Sequence, residues 1–195
     1  MGKEYAAIDD DVWAWVARQH MFFVSTAPRA DDGLVNCSPK GVVHLRRIDE
    51  RTLAYLDYGG SGVETIAHLR ENGRIVIMLC AFEGPPKIFR FYGRGEAMTP
   101  DRSEFEALAE LFDAEMLGVR SIIRIDVTRI ADSCGYGVPR YDFVDQRPSL
   151  PNYYRNAGVQ KMRDFAETAN AESLDGLPGL TAAEAAATSP GFSAD

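Results

Sequence analysis

The chain has 195 residues, 46% of them hydrophobic, and a formal net charge of −8 from 21 basic and 29 acidic side chains. That length suits one domain with a substantial core, while the acidic balance argues against a nucleic-acid partner, whose phosphates require Lys and Arg. No apolar run reaches the ~20 residues that span a bilayer, and Asp9, Asp10 and Asp11 are the wrong charge for a signal-peptide n-region, so a cytoplasmic, non-membrane protein is expected.

In chain order, Ile8 to Arg18 reads as a short helix, with acidic residues first and Val12, Trp13, Val16 and Ala17 at helical spacing. Met21 to Thr26 reads as a buried strand. Val35 to Ser38 and Val42 to Ile48 read as further strand, and the turn at Asp49 to Arg51 leads into Thr52 to Asp57 to make a hairpin. Cys37, Cys80 and Cys134 are odd in number, widely spaced and without a CxxC pair, which favours reduced thiols.

The most informative stretch, Leu53 to Glu96, follows the order strand, Gly-rich turn, short helix, two strands. Ser61 is expected to start the helix with a capping box to Glu64, and Asn72-Gly73 to end it. Arg74 to Phe82 is an apolar run typical of a covered strand. Lys87 to Met98 alternates, with Phe89, Phe91, Gly93 and Gly95 on one face. Thr99-Pro100 opens a helix carrying Phe105, Leu108, Ala109, Phe112 and Met116. Ser121 to Ile130 is a last long strand, with Ile123, Ile125 and Val127 inward.

Six or seven strands joined mostly by hairpins, with helices inserted, predict a mainly β protein with peripheral helices (α+β class) built on an antiparallel barrel. Too few helices separate the strands for a doubly wound parallel sheet. The organisation expected is a barrel domain over residues 1–132, a C-terminal extension over 133–180 on the barrel or on a dimer partner, and a weakly ordered tail over 181–195. A helix is expected within the extension from about Asn156 to Ala169.

The Gly59–Gly62 turn before a helix offers N–H groups and the Ser61 hydroxyl to an anion. Taken alone, it reads first as a capped helix, and Glu64 competes with an incoming phosphate. Lys40 in NCSPKG is the natural partner cation and Ser38 a hydroxyl donor beside it. Arg74 faces either a cofactor or a carboxylate such as Glu64. Asp57 and Tyr58 end a strand where a flat heterocycle would lie, or simply pack at the edge. Tyr136, Arg140 and Tyr141 occupy a Gly/Pro-rich loop suited to an anionic or planar substrate, or to a lid. The three histidines show no ligand spacing, so no metal site is expected, and no nucleophilic hydrolase motif is present. No catalytic side chain is identified.

FVSTA, NCSPKG, the hairpin around IDERTLAYLDY, GSGVETIAHLRENGRIVIML and RFYGRGE, in this order, resemble the pyridoxamine 5′-phosphate oxidase-like family of FMN-binding split barrels. The resemblance implies a six-stranded Greek-key split barrel forming a homodimer, with FMN in clefts between subunits. By that resemblance, Lys40, Ser38, Ser61 and Gly62 take the phosphate, and the ring runs along Asn36, Cys37, Asp57 and Tyr58 with Arg74 nearby. NCSPKG replaces the basic strand motif of authentic pyridoxamine phosphate oxidases, and their C-terminal substrate motif is absent. The resemblance therefore implies a flavin-type site and an oxidoreductase acting on a small planar substrate, not vitamin B6 oxidation. Alternatives on the same barrel are a deazaflavin-dependent reductase, and a non-catalytic flavin or haem carrier with His44 as axial ligand.

Overall fold

The computed structural model describes residues 2–41 and 44–190. Asp9 caps the first helix, α1 (Asp10–Ala17), by accepting the Val12 N–H at 2.8 Å, and the buried Val12 and Val16 seat that helix on the sheet. Six further elements follow in the expected order: β2 (Met21–Thr26), β3 (Asn36–Gly41), β4 (Leu45–Arg47), β5 (Thr52–Tyr58), α2 (Glu64–Asn72) and β6 (Arg74–Cys80). A two-residue strand, β1 (Glu4–Tyr5), precedes them; β7 (Ile88–Met98), α3 (Phe105–Ala109), β8 (Val119–Ser133), α4 (Ser149–Ala169) and α5 (Ala182–Ala187) complete the chain.

Eight strands form one antiparallel sheet in the order β3-β2-β6-β7-β8-β5-β4, with β1 pairing the far end of β8. The strand without a counterpart in the sequence reading, β1, has two residues, and β4, within the stretch Val42 to Ile48 read as strand, has three. The sheet curls around Phe22, Val24, Leu53, Tyr55, Ile77, Phe91, Ile123 and Ile125, all fully buried. Ile123, Ile125 and Val127 do point inward, with Asp126 and Thr128 outward. β5 is buried on both faces, because Ala54 and Leu56 pack outside the barrel with Met98, Phe105, Phe112 and Ile122.

Several local expectations shift. NCSPKG is itself a strand and tolerates Pro39 because β3 lies at the sheet edge, where a missing N–H interrupts no ladder. Val42 and Val43, read as strand, lie outside the described residues; β4 covers only part of that reading. α2 starts at Glu64, not Ser61, with Val63 at the cap and no side-chain cap bond. The capping box fails because the Glu64 carboxylate accepts the N–H of Leu174 instead, at 3.2 Å. The helix read after Pro100 is reduced to five residues, the approach being a series of turns.

The helix read from Asn156 begins earlier, at Ser149, and breaks at Gly158, whose φ of 76° leaves the helical region. Tyr154, Val159 and Met162 pack with Leu117, while Ala166, Leu180 and Ala185 join the barrel core. Within the stretch read as a weakly ordered tail, α5 carries a Thr181–Glu184 capping box and buries Ala185; residues 191–195 lie outside the described residues. Among the described residues no helix is long and apolar enough to cross a membrane.

Candidate functional site

Alternation along β3 fixes the first wall of the site. Asn36, Ser38 and Lys40 are half-buried on one face, and Cys37 and Pro39 are exposed on the other. Opposite them, the penultimate residue of β5 is Asp57, which is 1% exposed. The β5–β8 register slips at this point: Asp57 pairs Ser121 and Tyr58 pairs Val119, which leaves Arg120 as the extra residue of a bulge. A bulge breaks the alternation and re-aims a side chain. Two consecutive residues of β8 consequently reach the same carboxylate oxygen, Arg120 Nε at 2.8 Å and Ser121 Oγ at 3.3 Å, while Lys40 Nζ lies 3.3 Å from the other oxygen.

Burial alone would raise the Asp57 pKa, but Arg120 and Lys40 outweigh it and hold the carboxyl below its ordinary range. Asp57 is therefore an ionised pivot that orients two cations. Arg120 also donates from Nη1 to the Gly62 carbonyl at 2.8 Å, tying the pivot to the Gly-rich turn.

Ser38, Lys40, Tyr58, Ser61, Gly62 and Arg120 line a cavity of about 290 Å³, with Glu64 and Leu174 at its side. Among the described residues, none accepts a hydrogen bond from the N–H groups of Gly60, Ser61 or Gly62. Two cations, the Ser61 hydroxyl and free amides form a donor set suited to an anion. This cavity shares Lys40, Tyr58 and Gly60 with a second one of about 1050 Å³, walled by His44, Tyr58, Phe82, Tyr141, Phe143 and Tyr154. Tyr58 stands at the junction, edge-on to His44 at 5.0 Å and stacked on Tyr154 at 5.7 Å. Burial, then Glu115, pushes its hydroxyl up to about 12, so it is a neutral donor at physiological pH.

A polar chain runs behind β3. Ser38 donates to Asn36, whose amide donates to Thr26 and Thr65, and Thr26 lies 2.9 Å from His68 Nδ1. The other ring nitrogen of His68, Nε2, lies 3.8 Å from the Asp175 carboxylate. Burial keeps His68 below its ordinary pKa despite the opposing pull of Asp175, Glu64 and Glu71.

The structure thus brings together Asn36, Ser38, Lys40, Asp57, Tyr58, Ser61 and Gly62. Cys37 is on the same strand, but its side chain turns away. Arg74 is not part of the assembly: it bonds Asn72 and the Pro28 carbonyl at the start of β6 and lines neither cavity. Of the loop residues, Tyr141 lines the larger cavity beside Phe82, whereas Tyr136 and Arg140 are exposed and line neither. Arg120 and the C-terminal Tyr154, Asn170 and Leu174 are absent from the residues that sequence reasoning selects. The one available signal is an Arg at the mouth of an apolar strand; the bulge that aims it has no sequence signature. Among the described residues no cluster of three or more His, Cys, Asp or Glu is placed to hold a metal.

A curled antiparallel sheet, with its edge strand and a Gly-rich turn enclosing an anion cavity, defines a split-barrel protein. A family model described as Pyridoxamine 5′-phosphate oxidase matches residues 8–134. The chain is 34% identical over 197 residues to the pyridoxamine 5′-phosphate oxidase family protein ustO of Aspergillus flavus, covering 92% of this chain and 78% of that one. The chain belongs to the pyridoxamine 5′-phosphate oxidase family. In fold it is similar to HupZ of Group A Streptococcus, at 25% identity and a TM-score of 0.51 over 63% of this chain and 91% of that one. It is also similar to an FMN-binding protein of Syntrophomonas wolfei, at 21% identity and a TM-score of 0.47 over 60% and 78% of the two chains.

Proposed function

We propose that this protein is a flavin-dependent oxidoreductase that binds FMN, acts on a small planar substrate and works as a cytoplasmic homodimer. The observation that carries the reading is the junction of a small cationic cavity with a larger aromatic one through Lys40 and Tyr58. Such a pair of spaces matches a ligand with a charged end and a flat body, and membership of the family supports flavin as that ligand. The donor set fits the phosphate: Lys40 and Arg120 supply charge, Ser61 and the free amides supply directed hydrogen bonds, and Ser38, whose proton goes to Asn36, lines the wall beside them.

When bound, flavin supplies hydride transfer to or from the substrate. The residues of the chain do the remaining work. Asp57 fixes the two cations, so the phosphate subsite needs little rearrangement on binding. Tyr58, Tyr154 and Phe82 give the ring an apolar wall, and Tyr141 is the loop residue assigned to substrate contact. Phe143, stacked on His20 at 3.8 Å, closes the rim against water. Exposed Tyr141, Phe143 and Val144 beside the cavity support a second subunit there.

The test is the spectrum of freshly purified protein, followed by FMN titration of the wild type and of the Lys40→Ala/Ser61→Ala double variant. The expected results are flavin absorbance or quenched flavin fluorescence in the wild type and clearly weaker binding in the variant. A wild type that binds no flavin refutes the reading, and equal affinity in the variant refutes the site.

One observation favours haem as a second reading. His44 walls the larger cavity, and its Nδ1 is buried without a partner among the described residues. A Soret band on haem addition that is lost in His44→Ala would establish it. Tighter binding of a deazaflavin than of FMN in parallel titrations would instead establish a deazaflavin-dependent reductase.

A further inference from the structure

Three of the four carbonyl oxygens of the Gly-rich turn, those of Gly59, Gly60 and Gly62, are taken by side chains from elsewhere. Tyr154 donates its hydroxyl proton to the Gly59 carbonyl at 2.6 Å, Asn170 Nδ2 donates to the Gly60 carbonyl at 2.9 Å, and Arg120 holds that of Gly62. In a trans peptide the carbonyl of one residue and the N–H of the next point in opposite directions. Holding the Gly59 and Gly60 carbonyls from the C-terminal side therefore aims the Gly60 and Ser61 N–H groups the other way. Those N–H groups have no acceptor among the described residues, and both residues line the anion cavity.

Both donors are themselves held firmly. The Tyr154 ring lies on Gly118, where an added Cβ would come within 2.5 Å of it, and Gly118 has a φ of 84°. Asn170 is fully buried, and its carbonyl accepts the Leu180 N–H at 2.7 Å. On the same segment, the Leu174 N–H engages the Glu64 carboxylate, the one negative group on the cavity wall apart from the buried pivot.

We propose that Tyr154 and Asn170 are positioning residues of the phosphate subsite, so that each chain's own C-terminal region completes its cofactor cradle. The inference deepens the flavin reading above and rests on it. It also implies that the extension closes the site of its own subunit, through contacts made within one chain.

The experiment compares full-length wild type, Tyr154→Phe and Asn170→Ala for FMN and for riboflavin, which lacks the phosphate, by fluorescence titration. FMN affinity is expected to fall about five- to tenfold in each variant, the size of one lost hydrogen bond, with riboflavin affinity changed by less than about twofold. A merely structural role would weaken both ligands by the same factor, and that result overturns the proposal, as does an unchanged FMN affinity. Should Asn170→Ala fail to fold, Tyr154→Phe decides, since it keeps the ring. Stabilisation by inorganic phosphate at constant ionic strength separates the two readings. A wild type stabilised by phosphate but binding neither flavin, with stabilisation reduced in both variants, retains the cradle and discards FMN. A wild type indifferent to both flavin and phosphate discards both.

Discussion

Replacing Asp57 by Ala is the perturbation that most directly probes the pivot of the site. It removes the carboxylate from Arg120, whose side chain is 6% exposed, and from Lys40, whose side chain is 22% exposed. Lys40 can swing toward water, so its share is at most about 1 kcal/mol, as for a surface pair. Arg120 has no such escape, and stranding one partner of a buried pair costs about 3–5 kcal/mol. Against a total stability of about 5–15 kcal/mol, that is a large fraction, and it lowers Tm by roughly 6–20 °C for a chain of this size. Urea unfolding at pH 7, followed by the fluorescence of Trp13 and Trp15, measures it.

Asp57→Asn keeps an acceptor for Arg120 and removes only the charge, so its effect is smaller and carries the pH signature. The folded Asp57 pKa lies below the unfolded value, so the carboxylate's contribution is fully present above about pH 4 and is lost as pH falls through the depressed folded value. The difference between wild type and Asp57→Asn should shrink accordingly in acid. An Asp57→Ala penalty under about 1 kcal/mol would refute the idea that the bulge builds a buried ion pair.

Gly118→Ala should destabilise by more than about 2 kcal/mol, because a left-handed backbone and the Tyr154 ring both oppose a Cβ; thermal melts check this. His68 is held neutral when folded, so stability should decline as pH drops below about 6.5 toward the depressed folded value. His68→Gln should flatten that segment of the pH–stability curve. Cys37 and Cys134 are exposed and should alkylate rapidly under native conditions, while Cys80, buried and with its thiol pKa raised by burial, should react only on unfolding. Mass spectrometry of peptides after timed iodoacetamide treatment distinguishes them.

The order of strands and the core faces were legible in the residues themselves. Alternation in IFRFYGRGE, the apolar run RIVIMLC and the Asn72-Gly73 stop are local signals, set by side-chain period and by glycine's freedom at the αL position, where Gly73 has a φ of 69°. Asp57, Tyr58 and Ser61 were legible as neighbours because a strand end and a turn hold them within a few residues, whereas Ser38 and Lys40, on the opposite edge of the sheet order, meet them only because the sheet curls. Arg120 was not: its direction depends on one slipped register between β5 and β8, decided by packing on both faces of β5. Nor was the start of α2, since the capping box lost its glutamate to Leu174, 110 residues away.

The amino-acid pattern by itself determined a mainly antiparallel barrel and a Gly-rich turn at a strand end, because each follows from local periodicity and turn chemistry, while the basic residue opposite came from the family resemblance. Only the tertiary structure decided which way that turn's peptides face and which cations share Asp57. Those choices depend on hydrogen bonds from Tyr154, Asn170 and Arg120, residues separated from the turn by 58 to 110 positions.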